Sequence, residues 1–186
     1  MKNIYEIRAN PDIILPIRIS FAESCFGKHH TRIKYKRYDK CPDCNWFTGM
    51  FGLPKCEKCH GTGLVSGINT VVADIPAGIE DGMKLRLPGM GNLISGNTRG
   101  DLILEISVKP DSVLRREGSD IICEKEVTEV TAKCGGVINV DSADGTIALQ
   151  IPPNTKDGQC FRAKGRGAYK LAKKERGDFY IRIKYI

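Results

Sequence analysis

The sequence predicts a mainly β protein: two tandem, similar β-sandwich or barrel-like domains with short helices, and a small zinc-binding hairpin module inserted in the first domain. Three observations predict this. Short segments alternate apolar and polar residues, as strands with one buried face do. One series of motifs occurs twice in the same order. Two Cys-x-x-Cys pairs stand eleven residues apart between predicted strands.

The first elements are a strand, a short helix and a second strand. The helix is predicted from a capping box, in which Ser20 begins the helix and Glu23 bonds back to it, and it should run to Phe26 and stop at Gly27. After residue 110 no stretch has the length and 3.6-residue period of a substantial helix. The predicted strands are Ile13–Ser20, Thr31–Tyr38, Asn69–Ile75, Met83–Leu87, Asp101–Lys109 and Phe179–Tyr185.

The two Cys-x-x-Cys pairs indicate a metal site. Each pair directs two thiolates at one point, and two pairs together form a tetrahedral four-sulfur site that suits Zn²⁺. A closed shell of four ligands leaves no open position for chemistry, so we expect one structural zinc per chain. The alternatives are a redox dithiol or two accidental pairs. His60 follows a ligand directly and is excluded, and the predicted ligands are Cys41, Cys44, Cys56 and Cys59.

The repeat has an offset of 76 residues, which becomes 77 after one insertion. Arg99-Gly-Asp101 returns as Arg176-Gly-Asp178, at the start of a strand in each copy, so we interpret these triplets as turns and not as adhesion motifs. Cys25 and Cys134 precede glycines in both copies, which predicts a small buried residue at each. The predicted domains are 1–36 plus 68–112, an inserted zinc module at 37–67, and 113–186.

Composition limits the function classes. The net charge of +7 would suit nucleic acid, and a zinc-ribbon nucleic-acid binder using residues 28–40 and 162–184 is the alternative hypothesis. Neither segment interleaves its cations with regularly spaced aromatic residues, which makes nucleic acid the weaker hypothesis.

No apolar run is long enough to span a bilayer, and residues 1–12 lack the pattern of a signal peptide. We therefore expect a cytoplasmic protein with reduced thiols and no membrane partner. No catalytic constellation stands out, and we expect no enzymatic activity.

The sequence resembles the C-terminal substrate-binding part of DnaJ-type co-chaperones. The resemblance covers residues 10 to 186 and rests on the order of the motifs. They are Cys59-His-Gly-Thr-Gly63, Ile75-Pro-Ala-Gly-Ile-Glu-Asp-Gly82, Gly100-Asp-Leu102, Leu114-Arg-Arg-Glu-Gly-Ser-Asp120 and the second series Ile151-Pro, Asp157-Gly158 and Gly177-Asp178.

The resemblance implies binding of unfolded polypeptides, as a holdase or as an adaptor that hands client to a DnaK-type chaperone. It implies a peptide groove in the first β domain at Ile33, Tyr35, Val72 and Leu114. It also suggests that Arg32, Lys34 and Lys36 contact the acidic tail of the DnaK-type partner.

The sequence departs from the family's full pattern. Members with the complete cysteine-rich region have four cysteine repeats and two zincs, whereas this chain has two repeats, which implies survival of the outer zinc site alone. The sequence contains no J domain and no His-Pro-Asp tripeptide, so we expect this chain alone not to stimulate ATP hydrolysis by a partner. The family's dimerisation helix would follow the last strand, so a dimer is expected only through segments outside this chain or through another interface.

Overall fold

A computed structural model describes residues 6–7, 10–44 and 55–186. Most described residues in regular structure belong to β-strands, and the two described helices have only six residues each. The structure therefore confirms the predicted mainly β fold class. The helices are α1 (Phe21–Phe26) and α2 (Glu129–Cys134). The strands are β1 (Ile13–Ile19), β2 (Lys28–Lys40), β3 (Leu64–Ile75), β4 (Lys84–Leu87), β5 (Leu93–Ser95), β6 (Thr98–Arg99), β7 (Leu102–Val108), β8 (Leu114–Glu117), β9 (Asp120–Val127), β10 (Gly136–Ser142), β11 (Gly145–Ile151), β12 (Cys160–Ala163) and β13 (Phe179–Tyr185).

The strands form small sheets. The largest has the order β12-β13-β9-β8, in which β13 runs parallel to β9 and the other pairs are antiparallel. A three-stranded sheet has the order β1-β7-β4, and β2-β3, β5-β6 and β10-β11 are two-stranded. The β5-β6 hairpin lies in the glycine-rich segment between Gly89 and Gly100.

The described residues group into two compact units. Unit 1 holds those within Met1–Ile17, His30–Ala73 and Gly82–Ser107, and unit 2 holds Arg18–His29, Asp74–Asp81 and Val108–Ile186. Unit 2 therefore combines the second repeat with α1 and the turn at 74–81. Arg116 on β8 holds that turn, because its guanidinium donates hydrogen bonds of 2.8 Å to the carbonyls of Gly78 and Ile79.

The core of unit 2 packs one face of the four-stranded sheet against α1, α2 and the β10-β11 hairpin. Alternation along β13 explains this: every second residue is fully buried, while the residues between them are exposed or half-buried. The buried members are Phe179, Ile181 and Ile183, and they pack with Ile121, Val140 and Ile151.

The duplication is visible in one repeated network of hydrogen bonds. In unit 1 the carboxylate of Asp101 accepts from the Gly89 N–H and pairs with Arg86, and the Asp101 N–H donates to Asp12. In unit 2 Asp178 repeats each bond. Its partners are Gly165, Arg162 and Asp120, at 2.7, 2.5 and 2.8 Å. The Arg-Gly-Asp triplets are therefore parts of this turn, as the sequence predicted.

The caps of the helices correct one prediction. Gly27 and Gly135 end α1 and α2 with φ of 78° and 73°, and each N–H donates to the carbonyl four residues earlier. Aligning these caps matches Cys25 with Lys133 and not with Cys134. Cys25 is buried as predicted, but Cys134 is exposed, so the predicted burial of Cys134 is wrong. The match between Cys25 and Cys134 in the two copies is therefore displaced by one residue at this helix.

Candidate metal centre and exposed strand edges

Four cysteine side chains meet beyond the end of the β2-β3 sheet. Their Sγ atoms all lie within 4.8 Å of one another. The Sγ atoms of Cys41 and Cys56 are 3.8 Å apart, and those of Cys44 and Cys59 are 3.4 Å apart. A tetrahedral zinc with Zn–S bonds of about 2.3 Å needs sulfurs about 3.8 Å apart. The four thiols therefore have the spacing and the chemistry of a zinc site.

The backbone turns tightly at the second cysteine pair. In the second pair the His60 N–H donates to the Cys56 carbonyl at 2.7 Å, and the Gly63 N–H donates to the Cys59 Sγ at 3.3 Å. Gly61 and Gly63 have φ of 84° and 72°, which glycine adopts without strain. His60 is exposed and lies outside the cluster of four cysteines.

Burial affects the acidity of the cysteine thiols. Three of the four cysteines are buried and Cys56 is partly exposed. Burial, together with hydrogen bonding to the other three thiols, raises the pKa of the Cys41 thiol to about 11. A metal that binds here must displace thiol protons, so metal affinity should fall at low pH.

Hydrogen bonds, ion pairs and apolar contacts stabilise the chain segments next to the four cysteines. The Cys41 N–H donates to the Gly63 carbonyl at 2.9 Å, which continues the pairing of the two chain segments up to the thiols. Asp39 forms ion pairs with Arg37 at 2.9 Å and with Arg99 at 2.5 Å. A small apolar cluster of Ile7, Leu64 and Leu93 packs with Tyr38 beside them.

The residues predicted to form a peptide groove lie in different places. Ile33 and Tyr35 point to the buried face of β2, and the Tyr35 hydroxyl donates to the Met90 carbonyl at 2.8 Å. Val72 lies on the exposed face of β3, with 54% of its surface accessible. Leu114 is buried in the core of unit 2. Within unit 1, Ile33 and Tyr35 therefore face the opposite side of the sheet from Val72, while Leu114 belongs to unit 2.

The exposed face of the β2-β3 sheet carries both cations and aliphatic residues. Arg32, Lys34 and Lys36 are exposed on β2, on the side away from Ile33 and Tyr35, as the alternation predicted. Ile68 and Val72 are exposed on β3, and Ile68 is the more accessible at 73%. Because both strands bury their other face, these residues form one amphipathic surface. We call Arg32, Lys34, Lys36, Ile68 and Val72 the arm face.

Comparison with known proteins now decides the family. The family model of the DnaJ C terminal domain matches residues 13–186. The chain belongs to the DnaJ C-terminal domain family. Chaperone protein DnaJ of Brucella canis is 41% identical over 145 residues, which are 77% of this chain and 38% of that protein. The proteins of the same name from Brucella melitensis biotype 2 and Brucella abortus (strain S19) are 41% and 40% identical over the same coverage.

This DnaJ C-terminal domain spans 38% of the length of the curated relatives that it matches. None of the helices in the described ranges is long and apolar enough to cross a membrane.

In the basic segment 162–184, four cations are already paired with carboxylates. These pairs are Arg162–Asp178, Arg166–Asp144, Lys170–Glu175 and Arg176–Asp144.

Unit 2 of the DnaJ C-terminal domain contains a groove that the sequence did not predict. Its volume is about 720 Å³, and it lies beside β8, β9 and β10. Leu114, one of the predicted groove residues, lines it together with Cys123 and Val140. The groove depends on how far β8 extends along β9, and local sequence patterns do not give that length.

Proposed function

We propose that this DnaJ C-terminal domain binds non-native polypeptides without ATP, holding them or handing them to a DnaK-type chaperone in the cytoplasm. The observation that carries the proposal is the arm face. Two exposed aliphatic side chains, Ile68 and Val72, lie on a sheet of only two described strands. Apolar surface next to unpaired strand edges suits an extended chain, which can add as a strand by main-chain hydrogen bonds.

The cations of the arm face suggest a second contact. Arg32, Lys34 and Lys36 alternate along one strand and form no ion pair with the described residues. An acidic segment could therefore pair with them, and the acidic tail of the DnaK-type partner is the occupant we propose. Such binding should weaken as salt concentration rises.

The metal centre is proposed to hold one structural Zn²⁺ through Cys41, Cys44, Cys56 and Cys59. The sulfur spacing supports this proposal. A shell of four thiolates leaves no position open for a substrate or water, which supports a shaping role and not a catalytic one.

The four residues that the sequence predicted for the peptide groove have different roles in the proposal. The buried side chains of Ile33 and Tyr35 hold β2 in position, whereas Val72 offers accessible surface and Leu114 lines the groove of unit 2. Replacing Ile33 would disturb packing, so the exposed residues give the cleaner test.

The proposal is tested by light scattering of a chemically denatured client diluted into buffer without ATP. The DnaJ C-terminal domain should suppress aggregation, and Ile68→Ser with Val72→Ser should suppress it less while melting at an unchanged temperature. The matched control is Val130→Ser, because Val130 is also exposed but lies on α2. Equal suppression by the double variant and the wild type would remove the arm face from the proposal.

A further inference from the structure

The β5-β6 hairpin of unit 1 packs against the two strands that lead to the metal centre. The Tyr38 N–H of β2 donates to the side-chain oxygen of Asn92 at 2.9 Å, directly before β5 begins. Leu93, the first residue of β5, is only 2% exposed and packs with Leu64, the first residue of β3. Tyr38 and Leu64 both stand within five residues of a cysteine of the cluster. The hairpin therefore contacts both chain segments next to the thiols.

One carboxylate joins this hairpin to both strands. Asp39 stands two residues before Cys41, and its Oδ1 pairs with the Arg99 guanidinium of β6 at 2.5 Å. Its Oδ2 pairs with Arg37 of β2 at 2.9 Å and accepts a hydrogen bond of 3.3 Å from the Asn69 side chain of β3. Asp39 therefore contacts three strands beside the metal centre.

The contact between Asp39 and Arg99 is shielded from solvent. Their side chains are 27% and 26% exposed, and the two atoms that meet, Asp39 Oδ1 and Arg99 Nη1, are buried. Loss of one partner of a shielded pair leaves the other charge without compensation, which costs more than loss of a surface pair. The pair should therefore help to hold β6 on β2.

The hairpin depends on such contacts because it is short. Strand β5 has three residues and β6 has two, and their register shifts between Leu93 and Ser95. A two-stranded hairpin is marginally stable on its own in water. Its contacts with β2 and β3 therefore hold it in place, and those are the strands that lead to the cysteines.

We propose that Asp39 is a positioning residue that couples the metal centre to the β5-β6 hairpin, so that zinc binding and docking of the hairpin stabilise each other. Bound zinc fixes the end of β2, which holds Asp39 where Arg99 can pair with it. The docked hairpin contacts both chain segments next to the thiols, which holds the two cysteine pairs together. The inference rests on the zinc site of the proposed function and makes no use of the arm face.

Thermodynamic linkage makes the proposal quantitative. If docking of the hairpin raises the zinc affinity by some factor, zinc must raise the docking equilibrium by the same factor. For one ion pair in a small hairpin we expect a factor of about five to fifty, within the usual range of such couplings. An effect of zinc confined to the four thiolates would leave the hairpin unchanged.

The experiment measures zinc affinity by competition with a chromogenic chelator under reducing conditions, and hydrogen exchange with and without zinc. Asp39→Asn and Arg99→Gln should each lower the zinc affinity about five- to fiftyfold. In the wild type, removal of zinc should speed up exchange at residues 93–99 by a similar factor. The double variant should resemble Asp39→Asn alone, because both substitutions break the same pair.

Cobalt substitution separates positioning from ligation. Visible absorption bands of bound Co²⁺ report the ligands and the geometry of the metal. At saturating Co²⁺ the Asp39→Asn variant should have the bands of the wild type, because the same four thiolates hold the metal. Shifted bands would mean that Asp39 acts on the metal directly, and the proposed coupling would then be wrong.

Asp43→Asn is the matched control, because Asp43 also stands two residues from Cys41 and has the same charge. Its side chain is 55% exposed and pairs with Lys58 at 3.1 Å, and among the described residues it forms no ion pair with the hairpin. Zinc affinity and exchange at residues 93–99 should stay within about twofold of the wild type, as expected for a surface pair. An equal loss of affinity in Asp43→Asn would assign the effect to local charge and overturn the inference.

Two other results would contradict the coupling. They are unchanged zinc affinity in the folded Arg99→Gln variant, and exchange at residues 93–99 that does not respond to zinc in the wild type. Arg99 lies far from the cysteines in sequence, so its variant tests the coupling even if Asp39→Asn fails to fold. If the wild type binds zinc in these cases, the zinc site stands and only the coupling fails. If it binds none, both fail.

Discussion

The N–H of Cys41 donates a hydrogen bond of 2.9 Å to the carbonyl of Gly63, directly behind the four clustered thiols. The hydrogen bonding between β2 and β3 therefore continues into the metal centre. Zinc at this site would hold together the end of the same sheet that carries the arm face. The shape of the arm face should therefore depend on the metal.

Removal of zinc should loosen this end of unit 1. A strong chelator should release one zinc per chain and speed up hydrogen exchange near Cys41 and Gly63, while the buried strands of unit 2 stay protected. Cys44→Ser should have the same effect because three thiolates hold zinc less tightly than four. Metal content is measured by atomic emission.

The control for the metal experiment is Cys160→Ser, since Cys160 is an exposed cysteine outside the cluster. It should retain one zinc. Two zincs per chain, or none in protein purified under reducing conditions, would contradict the ligand assignment.

The close approach at Gly167 predicts a large effect from a single methyl group. A Cβ on Gly167 would lie 2.5 Å from the Ser119 carbonyl oxygen and 2.6 Å from the Gly177 carbonyl carbon, which are backbone atoms that cannot easily move. Gly167→Ala should reduce the free energy of unfolding by about 1–3 kcal/mol, the usual cost of overpacking. Chemical denaturation measures it.

Gly67→Ala on β3 is the matched control for that substitution. The nearest atom to its Cβ would be 3.9 Å away, so there is room for it. The free energy of unfolding should be unchanged or rise by about 0.4–1 kcal/mol, because alanine restricts the unfolded chain. An equal loss of stability in Gly67→Ala would mean that the loss in Gly167→Ala does not come from the close backbone approach.

The Asp178 network predicts a pH dependence of stability. The hydrogen bond from the Gly165 N–H, followed by the Arg162 side chain, holds the pKa of Asp178 below its usual value. A carboxyl whose pKa is lowered by folding stabilises the protein above its unfolded-state pKa of about 3.9, and this contribution is lost as the pH falls through the folded-state value.

Asp178→Asn should therefore lower the melting temperature at pH 7, and the difference from wild type should shrink as the pH falls below about 4. Calorimetry at a series of pH values measures this. The exposed Glu129→Gln should change little at either pH. A constant difference down to pH 2 would mean that Asp178 stabilises the turn through geometry and not through its charge.

A core substitution in unit 2 should be far more costly than one on the arm face. Ile181 is fully buried, so Ile181→Ala should cost about 2–5 kcal/mol of unfolding free energy. Ile68→Ala removes an exposed side chain and should change stability by no more than about 0.5 kcal/mol. If Ile68→Ala also destabilised the chain strongly, Ile68 would be covered in solution and the arm face would not be free.

Much of the fold could be predicted because its signals are local. Alternation located β1, β2, β7 and β13, and the capping box located α1 at the residues where it occurs. The cysteine cluster followed from spacing alone. The repeated Asp and Gly residues marked a turn whose hydrogen bonds require them.

What could not be predicted depends on pairing between distant strands. The short hairpin β5-β6 lies in a glycine-rich segment with little alternation. The misplaced Cys134 came from a one-residue slip in comparing the repeats. Alternation placed Ile33 and Tyr35 on one face of β2, but the register of β3 decides that Val72 faces the other way. Among the described strands, none pairs with Glu124–Glu126 on the β8 side, because β8 is shorter than β9.

The most direct test of the account is whether the intact chain binds a permanently unfolded polypeptide. A reduced and carboxymethylated client would be titrated with the protein in the absence of ATP, and hydrogen exchange would be compared with and without client. The account predicts saturable binding with slower exchange along β2 and β3, lost in the Ile68→Ser and Val72→Ser double variant. Absence of binding by a folded, zinc-loaded protein would contradict it.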